Sequence, residues 1–145
     1  MSIFSAMDVT ASGLTVQRLR MDVISQNVAN VNTTRTESGD PYKRKVILVQ
    51  EATPSFQEVL QSQMTNQPTT SGVKATAIVE DSRPFVKVYD PGHPDANAEG
   101  YVNMPNVNII EEMTNMISAS RAYEANVTVL NGTKGMAMKA LEIGK

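Results

Sequence analysis

The sequence predicts an α+β fold. Two long helices, one from each end of the chain, pair as an antiparallel coiled-coil hairpin, and a small β-rich insert lies between them. Three observations carry this expectation. Apolar residues step by four and three through residues 3–31, the same stepping returns through residues 109–141, and the stretch between holds short β-branched runs separated by turn formers.

The first helix is read from Ile3, Met7, Thr10, Leu14, Gln17, Met21, Ile24, Val28 and Val31, a heptad line blemished at Thr10 and Gln17. It is about 43 Å long at 1.5 Å per residue. Val9, Val16 and Val23 form a second line with a spacing of seven. Asn30 and Asn32, followed by Thr33 and Thr34, mark its stop. The last helix is read from Ile109, Met113, Met116, Ser120, Tyr123, Val127, Leu130, Lys134, Ala137 and Leu141. Asn108 is its N-cap, Glu111 the capping-box partner, and Gly144 ends it near Ile143. Gly13, Gly132 and Gly135 weaken the two helices.

The middle reads differently. Lys45–Val49, Lys74–Val79 and Phe85–Tyr89 are strands by composition and alternation. Residues 53–72 are rich in Gln, Thr, Ser and Pro; a short helix near Ser55–Gln63 or a flexible loop both fit. Asp90-Pro91-Gly92-His93-Pro94-Asp95 is dense in turn formers. The expected division is therefore a terminal helical domain of residues 1–33 and 108–145, and a β-rich middle domain of 34–107 with a flexible loop near 50–73.

Composition narrows the function classes. The chain has 145 residues, a net charge of -2 and no cysteine. Disulfides and thiolate metal sites are excluded, and no overall attraction to nucleic acid or anionic membrane is expected. The first residues lack a basic region and an unbroken apolar stretch, so no cleavable signal is expected, and no window is apolar enough to span a bilayer. His93 is the only histidine and sits among turn formers, so it reads as a turn residue and not as a ligand or a triad base. Glu111 and Glu112 are adjacent, diverge on a helix, and read as favourable charges in its first turn. Lys43-Arg44-Lys45 with Arg35 reads as a solvated strand end facing an acidic neighbour. Asn-x-Thr matches at Asn32, Asn126 and Asn131 read as chance. No catalytic, cofactor-binding or metal site is expected.

What remains is apolar surplus. A two-helix hairpin buries one stripe on each member, so Val9, Val16 and Val23, with Ile110, Ile117 and Met138, are expected to stay wet until a partner covers them; the alternative is that both stripes pack onto the β insert. Covering about 500 Å² is worth roughly 12 kcal/mol before ordering costs. The expected subunit-contact residues are Ile3, Met7, Leu14, Met21, Ile24, Asn27, Val28, Asn30, Met113, Met116, Tyr123, Asn126, Val127, Leu130 and Leu141. Asn27, Asn30, Asn32 and Asn126 read either as surface or capping residues or as amides that fix register between subunits, as a buried Asn does in coiled coils.

The run from Leu14 to Asn32, containing Ser25-Gln26-Asn27-Val28-Ala29-Asn30, resembles the N-terminal signature of flagellar rod and hook proteins. Ser120-Arg121-Ala122-Tyr123-Glu124-Ala125-Asn126 is similar to the matching C-terminal signature. Residues 32–45, 88–95, 100–108 and 139–145 resemble one proximal-rod branch of that family, and so does the insertion of residues 34–41 after the first motif. The resemblance implies a structural, non-enzymatic rod subunit. It implies export through the flagellar type III apparatus without a cleaved signal, and assembly in the periplasm into a helical tube that carries torque from motor to hook. It implies terminal helices on the inner wall and partners that include copies of itself, FlgB and FlgF of the proximal rod, FlgG of the distal rod and FliE at the rod base. A non-polymerising helical binding module or a type III export adaptor is the alternative; it would form a closed complex in place of an open lattice.

Overall fold

The computed structural model describes residues 3–65 and 71–143, without the side chains of Ile3, Glu58, Gln61 and Thr65. Seven elements follow one another: α1 (Ile3–Ala29), β1 (Lys45–Glu51), α2 (Phe56–Thr65), β2 (Val73–Glu80), β3 (Val86–Tyr89), β4 (Tyr101–Met104) and α3 (Ile109–Ile143). The fold is α+β, with α1 packed on α3 and two two-stranded sheets, β1–β2 and β3–β4. Both terminal helices and the first three strands stand where the sequence pattern puts them, and of the two readings left open near Ser55–Gln63 the helix, α2, is the one formed. Strand β4 has no alternation to announce it and is made by pairing with β3. Gly144, expected to end α3, lies outside the described residues.

Contacts divide the chain into two compact units that cut across the terminal helices. The first takes residues 1–19, 49–76 and 119–145, and the second takes 20–48 and 77–118. Each unit therefore combines part of α1, part of α3 and part of the middle segment.

In the first unit the helices meet at small residues. A Cβ on Gly13 would stand 3.2 Å from the Asn126 side-chain nitrogen, so the absent side chain is what admits Asn126 there. Ala119 is fully buried. Thr10 and Thr133 are buried too, their hydroxyls donating to the carbonyls of Ala6 at 2.8 Å and Val129 at 2.9 Å. Back-bonding to the preceding turn is what lets a hydroxyl sit in a core. The chain at Gly72 lies against Ser12, whose Oγ accepts from the Val73 amide at 3.1 Å. Gln17 Oε1 is the one buried side-chain polar atom among the described residues that lacks a hydrogen-bond partner.

In the second unit β3 and β4 form an antiparallel hairpin in which Val86 pairs Met104 and Tyr89 pairs Tyr101. The two tyrosine rings meet edge to face at 5.3 Å, a favoured aromatic geometry. The connecting loop is a chain of turns. Asp90 Oδ1 accepts from the Gly92 amide, His93 Nδ1 from the Asp95 amide at 3.1 Å, and Asn97 Oδ1 from the Glu99 and Tyr101 amides. Gly100 closes it at φ 82°, where a Cβ would lie 2.9 Å from Tyr89 Cε2. Only glycine satisfies both conditions. The hairpin hangs on Val102, one of the most buried residues of the unit.

Candidate assembly interface and the polar cluster behind it

The terminal helices carry apolar residues around most of their circumference, so stepping alone does not choose the inward face. On α1 the expected line is buried or half-buried throughout its described side chains, and on α3 the inward face keeps Met116, Tyr123, Leu130 and Ala137 of the expected line but takes Glu112, Ala119 and Thr133 in place of Met113, Ser120 and Lys134. On α1, Val16 and Val23 are 5% and 3% exposed. Of the second line, expected to stay wet, Val16 and Val23 are core and Val9 is half-buried. On α3, Glu112, Ala119 and Thr133 are buried, while Met113 is 56% exposed, Ile117 53% and Ile110 77%. Polar residues lie inside because each has partners there, and apolar residues are displaced outward.

Within the second unit those partners form one cluster. Asn27, at the last turn of α1, is 1% exposed and uses both faces of its amide. Nδ2 donates to Glu112 Oε2 and to the Lys45 carbonyl, each at 2.9 Å. Oδ1 accepts from the Tyr42 hydroxyl and the Lys45 amide, each also at 2.9 Å. Glu112 is fully buried. Its other oxygen accepts from Arg44 Nε at 2.8 Å and lies 2.7 Å from Arg44 Nη2. Arg44 also reaches Asp81 at 3.2 Å and Glu111 at 3.8 Å. Asn106 ties in the neighbouring backbone: Oδ1 accepts from the Arg44 amide at 2.8 Å, and Nδ2 donates to the carbonyls of Arg83 and Asp81. A charge buried this deeply is tolerated only when paired and hydrogen-bonded, as here.

The electrostatics follow. The Arg83 backbone amide, then the Arg83 and Arg44 side chains, hold the Asp81 carboxyl below its usual value against the opposing effect of burial. Arg83 is pushed up in turn by its hydrogen bonds to Asp81 and Glu111. Burial, then the carboxylates of Glu112 and Glu80, pushes the Tyr42 hydroxyl up, so it remains a donor to Asn27.

The basic cluster and the acidic pair thus differ from their sequence readings. Arg44 is an internal partner of Glu112 and not a solvated strand end; Lys43 pairs outward with Glu80 at 3.5 Å, and Arg35 with Asp95 at 3.9 Å. Glu112 belongs to the core, whereas Glu111 is exposed and pairs Arg83 at 3.2 Å. Asn108 caps α3 by accepting from the amides of Ile110 and Glu111.

Outside this cluster lies an open apolar groove of about 390 Å³, lined by Ser25, Val28, Ala29, Met113, Met116 and Ile117. Three expected contact residues, Val28, Met113 and Met116, meet there. Ile24 and Asn27 are instead buried within the chain. Asn30 is local, donating to the Gln26 carbonyl and accepting from Thr33 Oγ1, which ends α1. Met7, Leu14, Met21, Tyr123, Asn126, Val127 and Leu130 are half-buried, and Leu141 is exposed. The Ile3 side chain lies outside the described residues. Sequence reasoning missed Glu112, Arg44, Tyr42 and Asn106. One signal was available: residues 112, 116, 119, 123, 126, 130, 133 and 137 also alternate four and three, and the structure buries or half-buries all of them. Among the described residues no group of His, Cys, Asp and Glu is placed to hold a metal ion, and no helix is long and apolar enough to cross a membrane.

Two family profiles match the chain where its terminal helices lie. Residues 7–35 match the flagella basal body rod protein family, and residues 98–143 match the C-terminal region of the flagellar basal body rod FlgEFG proteins. The flagellar basal-body rod protein FlgC of Bacillus subtilis is 52% identical over the full length of both chains. FlgC of Borreliella burgdorferi is 46% identical over 99% of this chain and 98% of its own, and FlgC of Escherichia coli O157:H7 is 39% identical over all of both. With full-length relatives this similar and a rod-family match on each terminal helix, the chain belongs to the FlgC family of flagellar basal-body rod proteins.

Proposed function

We propose that this chain is a non-enzymatic structural subunit of the proximal rod, which polymerises through its terminal helices into a helical, torque-transmitting tube. The observation that supports the reading is the start of α3, which buries Glu112 and leaves Ile110, Met113 and Ile117 in water. Full burial of each such side chain is worth about 1.5–3 kcal/mol. Several together supply the surplus that an interface needs beyond its ordering costs. Val28, Met113 and Met116 on the groove, and Leu141 and Met7 on the first unit, are the expected contact residues this reading retains. Copies of the chain, FlgB, FlgF, FlgG and FliE are its partners. Export through the flagellar type III apparatus without a cleaved signal and residence in the periplasm belong to the same reading.

The test is Ile117→Asp, at a position already exposed in the single chain. The variant keeps the isolated chain's stability within about 0.5 kcal/mol and loses incorporation into rods, scored in purified basal bodies and by motility. Unchanged incorporation refutes the reading. Light scattering with rod neighbours separates it from a closed binding module: growth supports polymerisation, and a fixed small mass opposes it.

A further inference from the structure

The apolar positions of α1 nearly repeat after seven residues. Val9, Val16 and Val23 are identical, and Leu14, Met21 and Val28 are similar in kind. Moving α1 along α3 by one heptad, so that residue 20 stands where 27 stands, exchanges Val23 for Val16, Val28 for Met21 and Met21 for Leu14. In the second unit Ile24 for Gln17 and Ala29 for Asp22 change character, and in the first unit Thr10 for Ile3 and Gly13 for Ala6 do. Swaps of similar volume are well tolerated in cores, so the apolar surface alone selects weakly between the two alignments.

Asn27 is different. Its counterpart seven residues earlier is Arg20, which is exposed. A guanidinium has five donors and no acceptor. It cannot receive the Tyr42 hydroxyl or the Lys45 amide, both of which Asn27 Oδ1 accepts at 2.9 Å. It would also bring a second cation beside Arg44. An aspartate lacks the donor that Glu112 and the Lys45 carbonyl take, and a leucine lacks both functions. We infer that Asn27, read from both sides by Tyr42, Lys45 and Glu112, is the positioning residue that fixes the register of α1 against α3 in the second unit. A buried polar residue that chooses between near-equivalent apolar alignments is the best-attested use of such groups.

The chain has no cysteine, so introduced pairs report register without background. Val28→Cys with Met113→Cys reports the observed alignment, since both residues line one groove. Met21→Cys with Met113→Cys reports the alignment displaced by one heptad. In the otherwise unaltered chain the first pair is expected to cross-link at least about tenfold more than the second, the ratio that two lost hydrogen bonds command. Asn27→Leu is expected to bring the two yields within about threefold of each other while helicity by circular dichroism is retained. Asn27→Leu with Tyr42→Phe removes the hydroxyl that leucine would orphan and is expected to give the same result. Glu111→Gln leaves the ratio unchanged. A ratio still near its original value in both Asn27 variants overturns the inference. So does loss of helicity in both, which would make Asn27 a support of the fold and not a selector of alignment.

Discussion

Replacing Glu112 by alanine separates the cluster from a simpler account of the same residue. Glu111 and Glu112 both lie in the first turn of α3, where a carboxylate gains about 0.3–1 kcal/mol from the helix dipole. If the dipole were the whole contribution, the two alanine variants would lose nearly equal stability. In the structure Glu112 is fully buried, Arg44's side chain is 13% exposed, and their closest approach is 2.7 Å. Removing one partner of a buried pair costs about 3–5 kcal/mol because a charge is left uncompensated. Arg44 would keep Asp81 at 3.2 Å and Glu111 at 3.8 Å, and Asn27 would keep the Lys45 carbonyl. The lower end, about 3 kcal/mol, is therefore expected. Glu111, an exposed ion-pair partner, is expected to cost about 0.2–1 kcal/mol. In urea unfolding followed by circular dichroism, with a slope of about 2 kcal/mol/M, Glu112→Ala lowers the midpoint by about 1.5 M and Glu111→Ala by less than about 0.5 M. Losses within about 1 kcal/mol of each other would refute the buried-pair account and restore the dipole.

Two further outcomes follow from the same packing. Gly100→Ala forces a positive φ of 82° on a residue whose Cβ would meet Tyr89 Cε2 at 2.9 Å, and it is expected to destabilise by about 1–3 kcal/mol. Gly132→Ala, in the interior of α3 with nothing near its Cβ, is expected to stabilise by about 0.5–1 kcal/mol, and thermal unfolding of both variants checks the contrast in sign. Asp81 has a carboxyl held below its ordinary 3.8. Its folded form binds protons less readily than the unfolded chain, so its contribution is complete above that value and is lost as pH falls through the lowered one. Urea midpoints measured from pH 6 downward are expected to fall less steeply below about pH 4 in Asp81→Asn than in the unaltered chain.

The helices and three of the four strands were legible because local stepping and β-branched runs depend on near neighbours. Asn108 announced the start of α3, and Asn30 with Thr33 the end of α1, for the same reason. The inward faces were legible only in part: the expected line of α1 lies inward, but the burial of Val16, Val23 and Glu112 was not foreseen. Valine at 9, 16 and 23 and isoleucine at 109, 110 and 117 make both sides of each helix plausible cores, and the choice falls to Asn27 and Glu112. These lie 85 residues apart, and their meeting depends on Tyr42, Arg44 and Lys45 arriving at the same place. An acidic residue at a helix start has a sufficient local explanation, which hid the tertiary one. Strand β4 was missed because Tyr101-Val102-Asn103-Met104 is strand only by virtue of Val86–Tyr89 opposite.

The bond between Asn27 and Glu112 also sets a timetable. A chain delivered amino end first from any narrow exit, the ribosome's included, holds Asn27 outside long before Glu112 follows. Until then Arg44 has lost its deepest partner, and the second unit has no way to shut. Contacts of such long sequence separation come late and slowly in folding. Most of this polypeptide must therefore travel open, and closure waits for Glu112 to clear.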